Sequence, residues 1–201
     1  MSGTEIPFER TIRDRIERSI LLKQALLQSS VPIIGEVSAS VLEAYRNDRA
    51  VYWFGNGGSA ADAQHLACEL VNRFYLERRG MRSQAFTVNT SILTAVSNDY
   101  SYESVFAKQV EAFAREGDVL IGISTSGNAQ NVVSALKLGK NMGTVNVGFT
   151  GRSGGAVAAN VDYLISVPSE DTPFIQECHI MIGHIICYIV EQGLFAPEAP
   201  Q

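Results

Sequence analysis

His65 and Glu69 stand four residues apart in the stretch VYWFGNGGSAADAQHLACELVNRF, residues 51–74. In a helix that spacing sets both side chains on one face, one turn apart. Ala60, Ala61, Ala63, Leu66, Ala67, Leu70 and Val71 fill the same segment, so much of the helix is expected to be buried. A carboxylate held there needs a partner, a proton or a metal ion. Taken alone, the pair reads as a surface ion pair or as two ligands of a divalent metal.

A second group of polar residues lies in FIQECHIMIGHIICYIVEQ, residues 174–192. Ile175, Ile180, Met181, Ile182, Ile185, Ile186, Ile189 and Val190 surround the axis of this helix, so the sheet, neighbouring helices or other subunits are expected to cover it. His179 and His184 fall on different sides, and at least one of them is expected to be a structural histidine. Gln176 and His184 are separated by about 12 Å of helix rise. They share a centre only if His184 leans back towards the helix N-terminus and Gln176 reaches to meet it. Imidazole and carboxylate are good zinc ligands, and an amide oxygen is a weaker one. A site of His65, Glu69, Gln176 and His184 is thus feasible, although HxxxE is far less specific than HExxH.

Two loops add a different chemistry. GNGGSA (55–60) and STSGNAQN (124–131) each close an apolar run and open a helix. Asn56, Gly57 and Gly58 allow a sharp turn and close approach of a ligand, and Ser59 falls near the helix N-cap. Ser124, Thr125 and Ser126 offer three successive hydroxyls. Free N–H groups, hydroxyls and the positive end of a helix together suit a phosphate, while the bland alternative is a pair of turns and caps. No Walker lysine follows either loop and neither matches GxGxxG. A third junction, TGRSGG (150–155), reads as a turn.

The elements that must position these groups follow from the rhythm of the chain. Residues 8–47 carry helical periodicity broken near Ser29–Pro32, with Ile12, Ile16, Ile20 and Leu21 as a stripe that must bury against something. Beyond them, VYWFG (51–55), QAFTV (84–88), DVLIGIS (118–124), TVNVGFT (144–150) and DYLISV (162–167) read as short strands. Helices are expected at about 59–73, 91–97, 101–115, 128–142 and 174–192. Strands without polar alternation, interleaved with helices, predict an α/β fold: a doubly wound, five-stranded parallel sheet flanked by helices. An N-terminal helical hairpin (1–48) is expected to precede the α/β region (49–195) within the same domain, and residues 196–201 to form a flexible tail. Ligands of such sheets bind beyond the carboxyl ends of the strands, where both loops lie.

Bulk properties are consistent with this plan. The 201 residues suit one sizeable domain, with 46% hydrophobic and 18% charged residues. A net charge of -5 argues against nucleic acid as the main partner. Cys68, Cys178 and Cys187 have no CxxC spacing and read as reduced thiols of a cytoplasmic protein. The charged N-terminal twenty residues lack a signal-peptide core. The apolar run IMIGHIICYIV is shorter than the roughly 20 residues of a membrane span, so no membrane partner is expected.

With these residues assembled, the chain resembles the sugar isomerase (SIS) domain family, and within it the branch that isomerises heptose phosphates. GNGGSAADAQHLACELVNRF, TSILTAVSNDYSYESVFAKQV, EGDVLIGISTSGN, VGFTG and DTPFIQECHIMIGHIICYIVE carry the resemblance. It implies a SIS-type sandwich, a homotetramer packed through the N-terminal helices, and one zinc ion per subunit. It further implies conversion of sedoheptulose 7-phosphate to D-glycero-D-manno-heptose 7-phosphate, the first step towards ADP-heptose and lipopolysaccharide heptose.

Residue by residue, His65, Glu69, Gln176 and His184 match the zinc positions, and Glu69 and His184 match the acid/base pair. Asn56, Gly57, Gly58, Ser59, Glu69, Arg73, Asn98, Asp99, Ser124, Thr125, Ser126 and Gln176 match substrate-contacting positions. Arg73 is expected one turn beyond Glu69 on the same face. Where many relatives carry a phosphate-binding serine after STSGN, this chain has Ala129. Two alternatives remain open: a non-catalytic SIS tetramer that binds the replication initiator protein, and an isomerase or sensor for a shorter sugar phosphate. Members of the non-catalytic group lack the acidic residue matching Glu69.

Overall fold

The computed structural model describes residues 7–196, so the expected tail lies outside the described residues apart from Ala196. Five strands, β1 (Val51–Gly55), β2 (Ser83–Ala85), β3 (Val119–Ser124), β4 (Val145–Thr150) and β5 (Tyr163–Ser166), form one parallel sheet in the order β2-β1-β3-β4-β5. The chain leaves β1 towards β2 on one side and returns to β3 on the other. The winding therefore reverses between β1 and β3, and a crevice opens beyond their carboxyl ends. GNGGSA follows β1 and STSGN follows β3. The two loops flank the switch point.

Strand alternation explains the double burial. Val51, Trp53, Ile121, Ile123, Val147 and Phe149 face one layer, formed by α2 (Val31–Arg46), α3 (Gly58–Val71) and α7 (Thr172–Phe195). Tyr52, Phe54 and Leu120 face the other, where α5 (Ala107–Phe113) and α6 (Gln130–Asn141) lie. β1 and β3 are thus buried along their whole length, because both faces are covered.

Several elements depart from the sequence reading. The helix expected at 101–115 is a 3₁₀ turn, Tyr102–Ser104, followed by the short α5. The strand expected at 84–88 shrinks to the edge strand β2, and α4 (Thr90–Asp99) carries no buried residue. α1 (Glu9–Ser29) and α2 meet at a bend of 71°, an elbow more open than a tight hairpin. The stripe on α1 is not buried by its own chain: Ile12, Ile16, Ile20 and Leu21 are all exposed. Arg15 and Arg18 tie α1 to the start of α7, reaching Asp171 at 3.3 and 3.5 Å, with Arg15 over the Phe174 ring at 4.0 Å.

α7 is longer than the apolar run suggested. Its 24 residues are long and apolar enough to cross a membrane by length and composition, but it packs on α2 and α3 and carries a buried histidine and a buried glutamate. Two glycines set its fit against α3. A methyl group on Gly183 would overlap the Leu66 side chain, and one on Gly58 would come within 2.5 Å of the Gln176 amide. Gly58 beside Gln176 and Leu66 beside Gly183 place α3 and α7 side by side, running in the same direction.

Candidate active site

That parallel register brings His65 on α3 to His184 on α7. Their Nε2 atoms are 3.2 Å apart, and the same His65 nitrogen lies 3.0 Å from Glu69 Oε1. Ligand atoms of the three residues all fall within 4.8 Å of one another. The cluster is more open than the sequence suggested, with the His65 side chain 50% and the Glu69 side chain 22% exposed. Burial lowers the His184 pKa, the neighbouring His65 lowers it further, and Glu69 only partly opposes them. These surroundings favour the neutral imidazole.

Proton counting favours a cation at this point. His65 Nε2 carries at most one hydrogen, yet it has two acceptor-type neighbours. If it donates to Glu69, it has no lone pair left to accept from His184, and the contact between the rings is unmade. If it accepts from His184, the contact with Glu69 is left without one unless the carboxyl is protonated. A divalent ion between the three satisfies every lone pair.

Gln176 is placed differently from the histidines. Its amide lies over Gly58, at the loop end of α3, while the three ligand atoms gather further along both helices. Asp62 occupies the stretch between. One of its carboxylate oxygens is buried with no hydrogen-bond partner among the described residues, and burial raises its pKa to about 6 against the pull of His65. His179 is the structural histidine of the pair on α7. It is fully buried, with Nε2 donating to the Thr150 carbonyl at 3.1 Å, and burial lowers its pKa to about 4.

The loops are tied together beyond β1 and β3. Gly57 adopts φ +55°, which turns the chain into α3, and Ser59 is buried. The Asn56 and Asn131 amides exchange two hydrogen bonds of 2.9 Å, and the Tyr102 hydroxyl donates to Asn56 Oδ1 at 2.8 Å. In the second loop Gly127 takes φ +69°, and Ser126 Oγ accepts the Asn128 N–H. Ala129 is the N-cap of α6 and offers no side-chain cap. The TGRSGG junction is more than a turn: Gly151 N–H donates to the Thr125 carbonyl, Ala156 N–H to Asn128 Oδ1 and Val157 N–H to the Gly127 carbonyl. It buttresses the second loop from behind.

Arg73 lies beyond the end of the helix that carries Glu69. α3 ends at Val71, and the Arg73 guanidinium is exposed, 3.7 Å from Glu77. Asn98 and Asp99 end α4, joined by a 2.8 Å hydrogen bond and three to four residues before Tyr102. Sequence reasoning missed the Arg78–Glu191 pair altogether. Glu191 accepts N–H groups of Phe74, Tyr75 and Leu76 together with Arg78 Nε, and Arg78 also donates to the carbonyls of Glu69 and Leu70. This pair fixes the end of α3 and seats the Phe74 ring 5.7 Å from that of His184.

Comparison with known proteins agrees with this architecture. The SIS domain family matches residues 16–151. A phosphoheptose isomerase of Aneurinibacillus thermoaerophilus is 50% identical over 92% of this chain and 94% of its own, and phosphoheptose isomerase 2 of Campylobacter jejuni is 51% identical over 92% of both. Among solved structures, the phosphoheptose isomerase of Neisseria gonorrhoeae superposes with a TM-score of 0.87 at 38% identity, covering 92% of this chain and 99% of that one. That of Francisella tularensis gives 0.89 at 33% identity, covering 93% and 100%. The chain belongs to the SIS domain family, in its phosphoheptose isomerase branch.

Proposed function

We propose that the chain is an aldose–ketose isomerase that converts sedoheptulose 7-phosphate to D-glycero-D-manno-heptose 7-phosphate, at the entry to ADP-heptose and lipopolysaccharide heptose synthesis. The observation that carries this reading is the meeting of Glu69 and His184 from two helices around one ring nitrogen of His65. Moving a hydrogen from C1 to C2 of a ketose requires a base at carbon and an acid/base partner at the oxygens. Glu69 takes the C1 proton and supplies one at C2, through an enediol or enediolate. His184, neutral in the resting site, exchanges protons with the two oxygens.

The phosphate sits between the N-termini of α3 and α6, against Gly57, Gly58, Ser59, Ser124, Thr125 and Ser126, with Asn98, Asp99 and Gln176 along the sugar. Gly58 and His65 lie seven positions apart on α3, about 10 Å of rise. A seven-carbon chain stretched along the helix bridges that interval, which orients C1 and C2 against the acid/base pair. Zinc fits the donor set of His65, Glu69 and His184, whereas Gln176, expected as a fourth ligand, lies over Gly58 and is left to the sugar. When bound, it polarises the carbonyl and stabilises negative charge on the sugar oxygens as a Lewis acid.

The same reading makes the protein a cytoplasmic homotetramer. The exposed Ile12, Ile16 and Ile20 on α1, and Ile185 and Ile189 on α7, form apolar surface beside a groove of about 400 Å³ between these helices. Other copies of the chain are its natural cover. The test is a turnover assay with purified protein, zinc and ketose phosphates of six and seven carbons. Higher kcat/KM for sedoheptulose 7-phosphate is expected. Absence of turnover would leave a binding module, and preference for the hexose would make it a shorter-sugar enzyme.

A further inference from the structure

The amide of Asn56 is nearly used up by the protein itself. An amide oxygen has two lone pairs, and those of Asn56 accept Asn131 Nδ2 at 2.9 Å and the Tyr102 hydroxyl at 2.8 Å. One of its two amide hydrogens goes to Asn131 Oδ1 at 2.9 Å. Asn131 is 3% exposed, and its oxygen also receives the Val132 N–H at 3.0 Å. A residue committed in this way has a single hydrogen left for a sugar.

Its partners are placed for another task. Asn131 lies in the first turn of α6, behind the second loop, and Asn56 precedes α3 in the first loop. The reciprocal amide pair therefore spans the switch point and fixes the gap between two helix N-termini. Tyr102 closes it from the segment that carries Asn98 and Asp99. Its ring is 58% exposed, so the hydroxyl bond contributes little to the core.

We infer that Asn131 and Tyr102 are positioning residues that act through the Asn56 side chain, holding the two loops at the spacing an oxyanion requires. Contact with the anion comes from the backbone N–H groups of the first loop and from the second loop. The inference rests on the reading of these loops as the phosphate seat.

The test is a cycle of Tyr102→Phe and Asn56→Ala, singly and combined, read by calorimetric binding of inorganic phosphate and by steady-state kinetics with sedoheptulose 7-phosphate. Tyr102→Phe should weaken phosphate and raise KM about 2- to 10-fold, the worth of one hydrogen bond, with kcat and melting temperature unchanged. In the Asn56→Ala background the same change should have no further effect. Asn131→Asp keeps the acceptor but loses the donor and adds a negative charge, and should weaken phosphate more than Tyr102→Phe does. Equal effects of Tyr102→Phe in both backgrounds, no effect in either, or no phosphate binding by the unmodified protein would overturn the inference. Loss of turnover on the sugar with the phosphate cycle intact would instead count against the proposed substrate.

Discussion

His184 and Glu191 lie seven positions apart on α7, and each of these two residues meets α3 or the loop beyond it in a polar cluster. The clusters are built on opposite terms. Arg78 and Glu191 have side chains 1% and 0% exposed, and the carboxylate oxygens are filled by three backbone N–H groups and one guanidinium. Burial alone would raise the Glu191 pKa. The backbone donors and Arg78 outweigh it and hold the pKa low. His65, Glu69 and His184, in contrast, are partly open and hold more lone pairs than protons to fill them. A polar group satisfied by its own chain stabilises the fold, whereas one left with spare valence can serve a ligand. The first cluster holds the end of α3, and the second uses the position thus fixed.

Four experiments separate the two roles, beginning with the largest effect. Glu69→Gln should reduce kcat by about 10²–10⁴-fold, the typical contribution of one acid/base group. The circular dichroism spectrum and assembly size should stay unchanged. Near-normal kcat would remove Glu69 from the chemistry. His65→Ala should lose most of the bound zinc in elemental analysis, with folding unaffected, and undiminished zinc would end its assignment as a ligand.

Arg78→Met belongs to the other cluster and should act on stability first. Leaving Glu191 buried without its cation should cost about 3–5 kcal/mol in urea unfolding. A loss under 1 kcal/mol would show that the pair is not what holds the end of α3.

The smallest effect concerns His179. Its folded pKa lies near 4, whereas an unfolded histidine titrates near 6.5. Between those values the unfolded chain binds the extra proton, so stability is full above about pH 6.5 and falls as the pH drops towards 4. The slope is at most about 1.4 kcal/mol per pH unit. Replacing His179 by Gln should flatten this segment of the stability–pH curve, and an unchanged slope would assign it to other groups.

Much of the sheet was legible in advance because its central strands β1 and β3 are apolar on both faces and end in glycine or serine. The run VYWFG became β1 residue for residue. The His65–Glu69 spacing was equally readable, since it is set within one helix. What the sequence did not disclose was tertiary. Nothing local says that Gly183 faces Leu66, that α3 and α7 run side by side, or that Glu191 turns inward to residues more than a hundred positions earlier. Arg73 was expected one turn beyond Glu69 on the helix, but α3 stops two residues short of it, at an Asn72 C-cap of non-helical conformation. Asn131 was overlooked because a lone asparagine early in a helix resembles any other cap. The α1 stripe, expected to bury against something, stays exposed among the described residues.

The missing side chain at Gly183 works as a spacer gauge. It sits next to His184, as Leu66 sits next to His65, so the closeness of the two imidazoles depends on α7 resting directly on leucine. An alanine there would act as a shim, pushing the helices apart and spreading the ligand edge beyond what one ion spans. Metal occupancy could thus be dialled down from a position that supplies no donor atom at all.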